Sequence, residues 1–330
     1  MGPSTDLHTV KVKVFCAAGL ILMIFLAAAS LFTGRYPLSF GALLAGDEMQ
    51  RRVFFTLRVS RTAAGLVGGF ALGTAGFVYQ TVFSNPLASP DVIGVSSGAS
   101  AGAAVGILFF SGAFAVTAWA FVGALAAVGL ALALSFLDRT GRHGTIVLAG
   151  IAVHSLAQTA LMCLKLTADP ERELASIEYW IMGSLNGISG YSVGGNLILC
   201  LVCAAFLFLL HRQILLLSGD EGEARMLGVP VGRMRLLVLL VSTLAVACII
   251  SMSGLISFVG LLAPHGARML TGKSSAGTML LGGILGAILL MGADILARSL
   301  WTAELPVSIF TSLLGAPFLI YLIIRGRRGP

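Results

Sequence analysis

Residues 58–91 read RVSRTAAGLVGGFALGTAGFVYQTVFSNPLASPD. Between Arg61 and Asp91 there is no Asp, Glu, Lys or Arg, and small residues dominate the first half. A bilayer core takes about 20 apolar residues of helix, so this stretch spells one membrane-crossing helix. Its glycines and alanines let neighbouring backbones come close. Pro86 and Pro90 close it, because proline ends one helix and opens the next. The same reading works outward. Further stretches without those four residue types run 14–34, 92–137, 143–164, 179–211, 236–267, 274–293 and 305–324. The run 92–137 is long enough for two helices, with a break near Ser111-Gly112. The run 236–267 is interrupted by Gly254, Gly260 and Pro264, so it is one long span or two short ones. That makes nine or ten spans. Lys11 and Lys13 precede the first, and Arg325, Arg327 and Arg328 follow the last. Positive residues gather on the cytoplasmic side, so both ends read as cytoplasmic and the number must be even: ten.

Composition points the same way. The 330 residues are 57% hydrophobic and 11% charged, with a mean hydropathy of +0.98. A soluble domain carries about 25% charged residues, so a cytosolic enzyme, a disordered chain and a disulfide scaffold are excluded. The expected fold class is an all-α polytopic membrane protein, with residues 1–330 as a single transmembrane domain. The first span also has the basic start of a signal peptide, but its apolar run exceeds the roughly 7–15 residues of a signal core. The net charge of +7 reads as the positive-inside bias and contact with anionic headgroups of membrane lipids. No basic stripe interleaved with aromatics points to nucleic acid. Cys16, Cys163, Cys200, Cys203 and Cys248 all lie in apolar runs, which suits packing and gives no metal-ligand spacing.

From an inside N-terminus, inner loops fall near 84–91, 138–144, 212–235 and 271–275, and outer segments near 35–58, 168–190 and 297–305. Thirteen Lys and Arg then lie inside and eight outside. Five of those eight are Arg35, Arg51, Arg52, Arg58 and Arg61. Cations on the outer face need a reason. An acidic extracellular partner is one, and snorkelling to headgroups is the other.

Several motifs occur in one order. Arg58-Val59-Ser60-Arg61-Thr62 is followed by Gln80, by Asn85-Pro86-Leu87-Ala88-Ser89-Pro90-Asp91 and by Ile93-Gly94-Val95-Ser96-Ser97-Gly98-Ala99. Then come Trp180-Ile181-Met182-Gly183-Ser184-Leu185, Gly219–Pro230, Gly254–Leu261 with Pro264-His265, Ala293–Arg298, Glu304-Leu305-Pro306 and Gly315-Ala316-Pro317. From about residue 36 onward the chain resembles the permeases of ABC importers for iron-siderophore, haem and cobalamin. The resemblance implies type II ABC importer architecture, with ten helices per subunit and a dimeric membrane unit formed with a second copy or a paralogue. It also implies two cytoplasmic ABC ATPase subunits, an extracytoplasmic substrate-binding protein, and a place in a prokaryotic cytoplasmic (inner) membrane.

The resemblance assigns roles residue by residue. Arg58, Arg61 and Arg298 would face acidic residues of the binding protein, and an arginine fork suits carboxylates. The other reading for Arg298 is an internal pair with Asp294, four residues earlier on one helix face. The inner loop 213–235 would couple to the ATPase through Asp220, Glu221, Glu223, Ala224, Arg225, Leu227, Gly228 and Val229. Its own chemistry agrees. Ser218-Gly219-Asp220-Glu221 reads as a helix start, Gly228 and Pro230 stop that helix, and a short second helix is expected from Val231. The sequence contains no G-x-x-x-x-G-K-[ST] phosphate loop, so the chain is not itself an enzyme. ATP and Mg would be bound by the partner, with no cofactor and no metal on this chain. The fifth span would line the pathway. There His154, Gln158, Leu161 and Lys165 share one helix face by their 4, 3, 4 spacing, and an ionisable residue within a span usually faces water or protein. His154 stands where the family commonly has Gly or Ala, so a pathway contact and a helix–helix hydrogen bond are both open. An inner gate would lie at His143, Gly144 and Thr145. Pro264-His265 is expected to break a helix. The substrate implied is an iron chelate, a siderophore first, with haem, cobalamin and molybdate open. An ion-coupled carrier would need paired acids within spans, and a channel would need no ATPase.

Overall fold

Every regular element among the described residues is helical. The computed structural model describes residues 3–34, 36–137, 144–188, 190–219, 221–301 and 303–326. Helix α1 (Pro3–Phe32) is followed by short α2 (Phe40–Ala45) and α3 (Glu48–Arg52). A π-helical turn at Val53–Val59 then leads without a break into α4 (Ser60–Val82). This rod is the centre of the molecule. From Ala71 to Val82 every residue of α4 is buried, with α14 (Ala276–Ser299), α13 (Val259–Thr271), α12 (Val231–Ser253), α9 (Gly190–Leu209) and α1 around it.

Glycine makes that packing possible. A Cβ at Gly69 would lie 2.4 Å from the Gly286 carbonyl oxygen of α14 (Ala276–Ser299). One at Gly76 would lie 1.7 Å from the Gly260 oxygen of α13 (Val259–Thr271). In a bilayer no hydrophobic effect pulls helices together, so such backbone approach supplies the packing energy. The G-x-x-x-G spacings Gly65-Gly69-Gly73 and Gly282-Gly286 put these residues on facing stripes.

A second group packs at one side. Helix α5 (Val95–Phe109) lies on α6 (Ala113–Leu137) and α7 (Gly144–Thr167), with α8 (Glu173–Met182) across their outer end. The break between α5 and α6 falls at Phe110–Gly112, as the sequence indicates. Helix α12 joins the two groups, with α9 packed on α12 and α4. Short α10 (His211–Leu216) and α11 (Glu221–Met226) connect α9 to α12 at the inner end, the one expected from the charge pattern to be cytoplasmic, and α15 (Val307–Gly326) is the last helix. Among the described residues, six helices are long and apolar enough to cross a membrane, and three shorter apolar helices accompany them.

Two local expectations are corrected. The helix beginning at Val231 is not a short one but the 23-residue α12. Its apolar run carries no breaker before Gly254, so the helix continues into the membrane. Pro264 does not end a helix either: it sits inside α13. The interruption of 236–267 comes earlier, at residues 254–258. There Gly254 has φ 70° and Phe258 φ 67°, left-handed backbone that stops a helix. The inner turn is structural, as its prolines indicate. The Asn85 carboxamide oxygen accepts from the Leu87 N–H at 2.9 Å, Pro90–Ile93 forms one 3-10 turn, and left-handed Gly94 opens α5.

Candidate functional site

Three regions carry the polar chemistry. The first is at the outer end, where the π-helical turn aims Arg58 at the segment after α1, beside Gly34 and Tyr36, and α4 aims Arg61 toward α14. Arg61 Nε donates to Asp294 Oδ1 at 2.9 Å and its Nη1 to Glu304 Oε2 at 2.9 Å. Arg298 reaches the other Asp294 oxygen at 3.1 Å, the Ser30 hydroxyl at 2.6 Å and the Thr33 carbonyl at 3.0 Å. Arg58 Nη2 donates to the Tyr36 carbonyl at 3.1 Å. The cluster thus ties the end of α1, the rod of α4, α14 and the 300–306 segment together. Its three arginines are only 6%, 8% and 4% exposed at 58, 61 and 298. Set against two carboxylates, they leave one excess positive charge. Arg58 Nη1, Arg61 Nη2 and Arg298 Nε are buried without a hydrogen-bond partner among the described residues. The Arg298–Asp294 pair weighed from sequence is present. The pairs of Arg61 were missed, because their partners lie 233 and 243 positions away. A signal existed nonetheless: Asp294 is an acid inside an apolar run, and a buried charge needs a partner.

The second region is the inner connection. Val229 N–H donates to the Ala224 carbonyl and Gly228 N–H to that of Arg225, each at 3.0 Å, while Gly228 has φ 80°. This is a Schellman stop, and it packs C″ against C3: Ala224 and Val229 are both buried. The stop leaves Met226 82% and Leu227 68% exposed at the tip. Glu223, Arg225 and Gly228 are exposed beside them. Glu221 begins α11, and Asp220 lies outside the described residues.

The third region is α7. His154 is exposed, Gln158 half-buried and Leu161 buried. Lys165 pairs with Glu178 of α8 at 2.8 Å. The stripe therefore starts on the open face and turns into the bundle, and the open face continues instead through Ser155 and Thr159. Gly144 and half-buried Thr145 stand in the first turn of α7. His143 lies outside the described residues.

A fourth knot went unread in the sequence. Arg268 donates to the Thr81 hydroxyl at 2.8 Å, to the Phe77 carbonyl at 3.2 Å, to the Ser274 hydroxyl at 3.0 Å and to Gln80. Gln80 donates in turn to the Leu261 carbonyl at 3.0 Å. The motif glutamine thus locks α4 to α13 near their inner ends.

Comparison with known proteins follows the same geometry. The profile of the FecCD transport family matches residues 21–325. The chain is 35% identical over 322 residues to the molybdate import system permease protein MolB of Haemophilus influenzae, covering 94% of this chain and 95% of that one. It is 36% identical over 321 residues to the hemin transport system permease protein HmuU of Yersinia pestis, covering 93% and 94%. Its fold matches a solved inward-facing transporter described as of the metal-chelate ABC type. That match has a TM-score of 0.84 and 33% identity, and covers 95% of this chain and 99% of that one.

Proposed function

The chain belongs to the FecCD transport family, and from that membership we propose that it forms the translocation pathway of a binding-protein-dependent ABC importer for an iron chelate, a siderophore foremost. The observation that carries the reading is the full-length likeness in fold to the metal-chelate type transporter. The hemin permease among its relatives supports the same substrate class. The molybdate permease, similar over 94% of this chain, favours a second reading in which an oxyanion is carried.

Each polar region then has a task. Two copies of the chain face each other along α7, with His154, Ser155 and Thr159 toward the pathway and Gln158 beside them. Leu161 and the Lys165–Glu178 pair hold α7 to α8. Gly144 and Thr145, with His143 before them, form the inner constriction, where small side chains permit close approach across the axis. The α10–α11 connection seats in an ATPase subunit through Met226 and Leu227, flanked by Glu221, Glu223 and Arg225. The Schellman stop keeps that tip rigid, so a push on it is passed into α12. ATP and Mg stay on the partner. At the outer end Arg58 is the arginine of the three that makes no ion pair with a carboxylate among the described residues. It receives the acidic residue of the binding protein, while Arg61 and Arg298 are positioning residues held by Asp294 and Glu304. Both termini lie on the cytoplasmic side.

The test is to co-purify the chain with the ATPase and binding protein of its own operon and identify the ligand of that binding protein. An iron chelate that drives uptake supports the reading. A bound molybdate or tungstate supports the second one. Failure to associate with any ATPase subunit contradicts both.

A further inference from the structure

Between the outer ends of α6, α9 and α12, beneath α8, lies a cavity of about 820 Å³. It belongs to none of the regions above, and its size falls within the roughly 300–1,000 Å³ of small-ligand sites. Its depth is apolar, with Ile107, Val116, Phe121, Ile188 and Met252 in the wall. Three of the four serines there make no demand on a ligand. Ser251 donates to the Cys248 carbonyl, Ser253 to that of Ile249 and Ser176 to that of Arg172. At the exposed rim stand Glu171 and Arg172, opposite charges on adjacent residues, neither ion-paired among the described residues. The Trp180 indole and the Asn196 amide line the wall and make no side-chain hydrogen bond among the described residues.

The surroundings say what reaches this cavity. Both α6 and α9 pack on α12, and the cavity fills the gap they leave. Neither Ala113–Leu137 nor Gly190–Leu209 contains an Asp, Glu, Lys or Arg. Their exposed side chains are apolar, Phe114 at 79% and Ile198 at 63% among them. The open face of α7 is apolar too, Leu156 at 61% and Met162 at 62%, but unlike α6 and α9 it also carries exposed His154, Ser155 and Thr159. The flank holding the cavity is therefore the lipid side, at the depth of the outer leaflet.

We propose that this cavity binds a zwitterionic glycerophospholipid, phosphatidylethanolamine by its chemistry. One acyl chain fills the apolar depth, the phosphate meets Arg172 and the primary ammonium donates to Glu171. An anionic headgroup would bring its charge against Glu171, and a quaternary ammonium has no hydrogen to donate. The indole N–H of Trp180 and the Asn196 amide are free to donate to the ester carbonyls. A lipid so seated buttresses α8, which is tied to α7 by the Lys165–Glu178 pair, so lipid composition reaches the pathway helix. The inference rests on membrane embedding and not on the identity of the substrate.

Tryptophan fluorescence tests it. The chain has three tryptophans, Trp119, Trp180 and Trp301. Trp119→Phe with Trp301→Phe leaves Trp180 alone, and Trp180→Phe with Trp301→Phe leaves Trp119 on the exposed flank of α6. The full chain is placed in phosphatidylcholine vesicles with increasing phosphatidylethanolamine brominated in mid-chain. Trp180 is expected to sense the brominated lipid at about fivefold its share in the bilayer, while Trp119 follows bulk composition. Ala118→Phe fills the cavity and returns Trp180 to the bulk curve. Arg172→Ala, on the exposed rim, reduces the enrichment without touching the packing, so the test survives if the filled variant fails to fold. Identical curves for Trp180 and Trp119 would overturn the proposal. So would equal enrichment of brominated phosphatidylglycerol, or a Trp180 that no lipid quenches.

Discussion

Asp294 is the carboxylate on which the outer cluster turns. Its side chain is 2% exposed and it accepts from both Arg61 and Arg298. Asp294→Asn keeps the shape but leaves two buried guanidinium groups short of a counter-charge. Breaking a buried pair from one side costs about 3–5 kcal/mol, so the purified variant should unfold at a clearly lower temperature than the parent. Glu304→Gln should cost much less, because Glu304 is 19% exposed and water screens what remains. Equal thermal stability of Asp294→Asn and the parent would show that the cluster does not hold the outer end together. Arg58 answers to a different assay. Arg58→Glu reverses the charge of an arginine that makes no ion pair among the described residues. It should weaken docking of the binding protein about tenfold or more while the chain stays folded, since opposed charges set encounter and register. Unchanged affinity would remove Arg58 from the docking surface.

Among the elements, α4 and the inner connection make the sharpest claims. Gly69→Leu drives a side chain into the Gly286 backbone of α14, and Gly76→Leu does the same at Gly260 of α13. Overpacking typically costs about 1–3 kcal/mol, and here backbone has to move. Gly232→Ala, which meets nothing within 4 Å, is the neutral control. A loss of folded yield in the first two but not the third is the expected pattern. On the inner side Met226→Asp with Leu227→Asp puts charge on an apolar tip. Anchors of that kind are worth about 2 kcal/mol each, so ATPase subunit binding should weaken by a factor of about 100 or more. Wild-type affinity in that double variant would place the ATPase contact elsewhere.

Much of this was legible at the level of elements. Uncharged runs locate the apolar helices, Ser111-Gly112 the break, and Gly228 with Pro230 the helix stop, because each is a local property of backbone or solvent. The half-length α13 was not, since Pro264 is a stronger local breaker by propensity than Phe258. Tertiary packing of Phe258 against Gly315 holds the left-handed turn instead. Nor were the partners of Arg61 and Arg268 legible, because spacing reports i,i+4 neighbours and says nothing of residues brought together by helix packing. The α7 stripe shows the same limit: periodicity placed four residues on one face, but their different neighbours turn Leu161 inward and leave His154 open.

At the scale of the whole molecule, the sparse charge is concentrated where the proposed function would have a membrane-embedded chain meet soluble partners. The arginines gather at the outer end, and an apolar tip flanked by charges stands at the inner one. Between them the glycine-packed rod of α4, locked to α13 by Arg268 and Gln80, gives a rigid body that a motion at one end can carry to the other. The measurement that tests this most directly is uptake of an iron chelate by proteoliposomes. The chain and its ATPase are reconstituted together, Mg and ATP are enclosed, and the binding protein is supplied outside. Accumulation that stops when ATP, the ATPase or the binding protein is omitted is the predicted result. Uptake by the chain alone, or driven by a proton or sodium gradient without ATP, would contradict it.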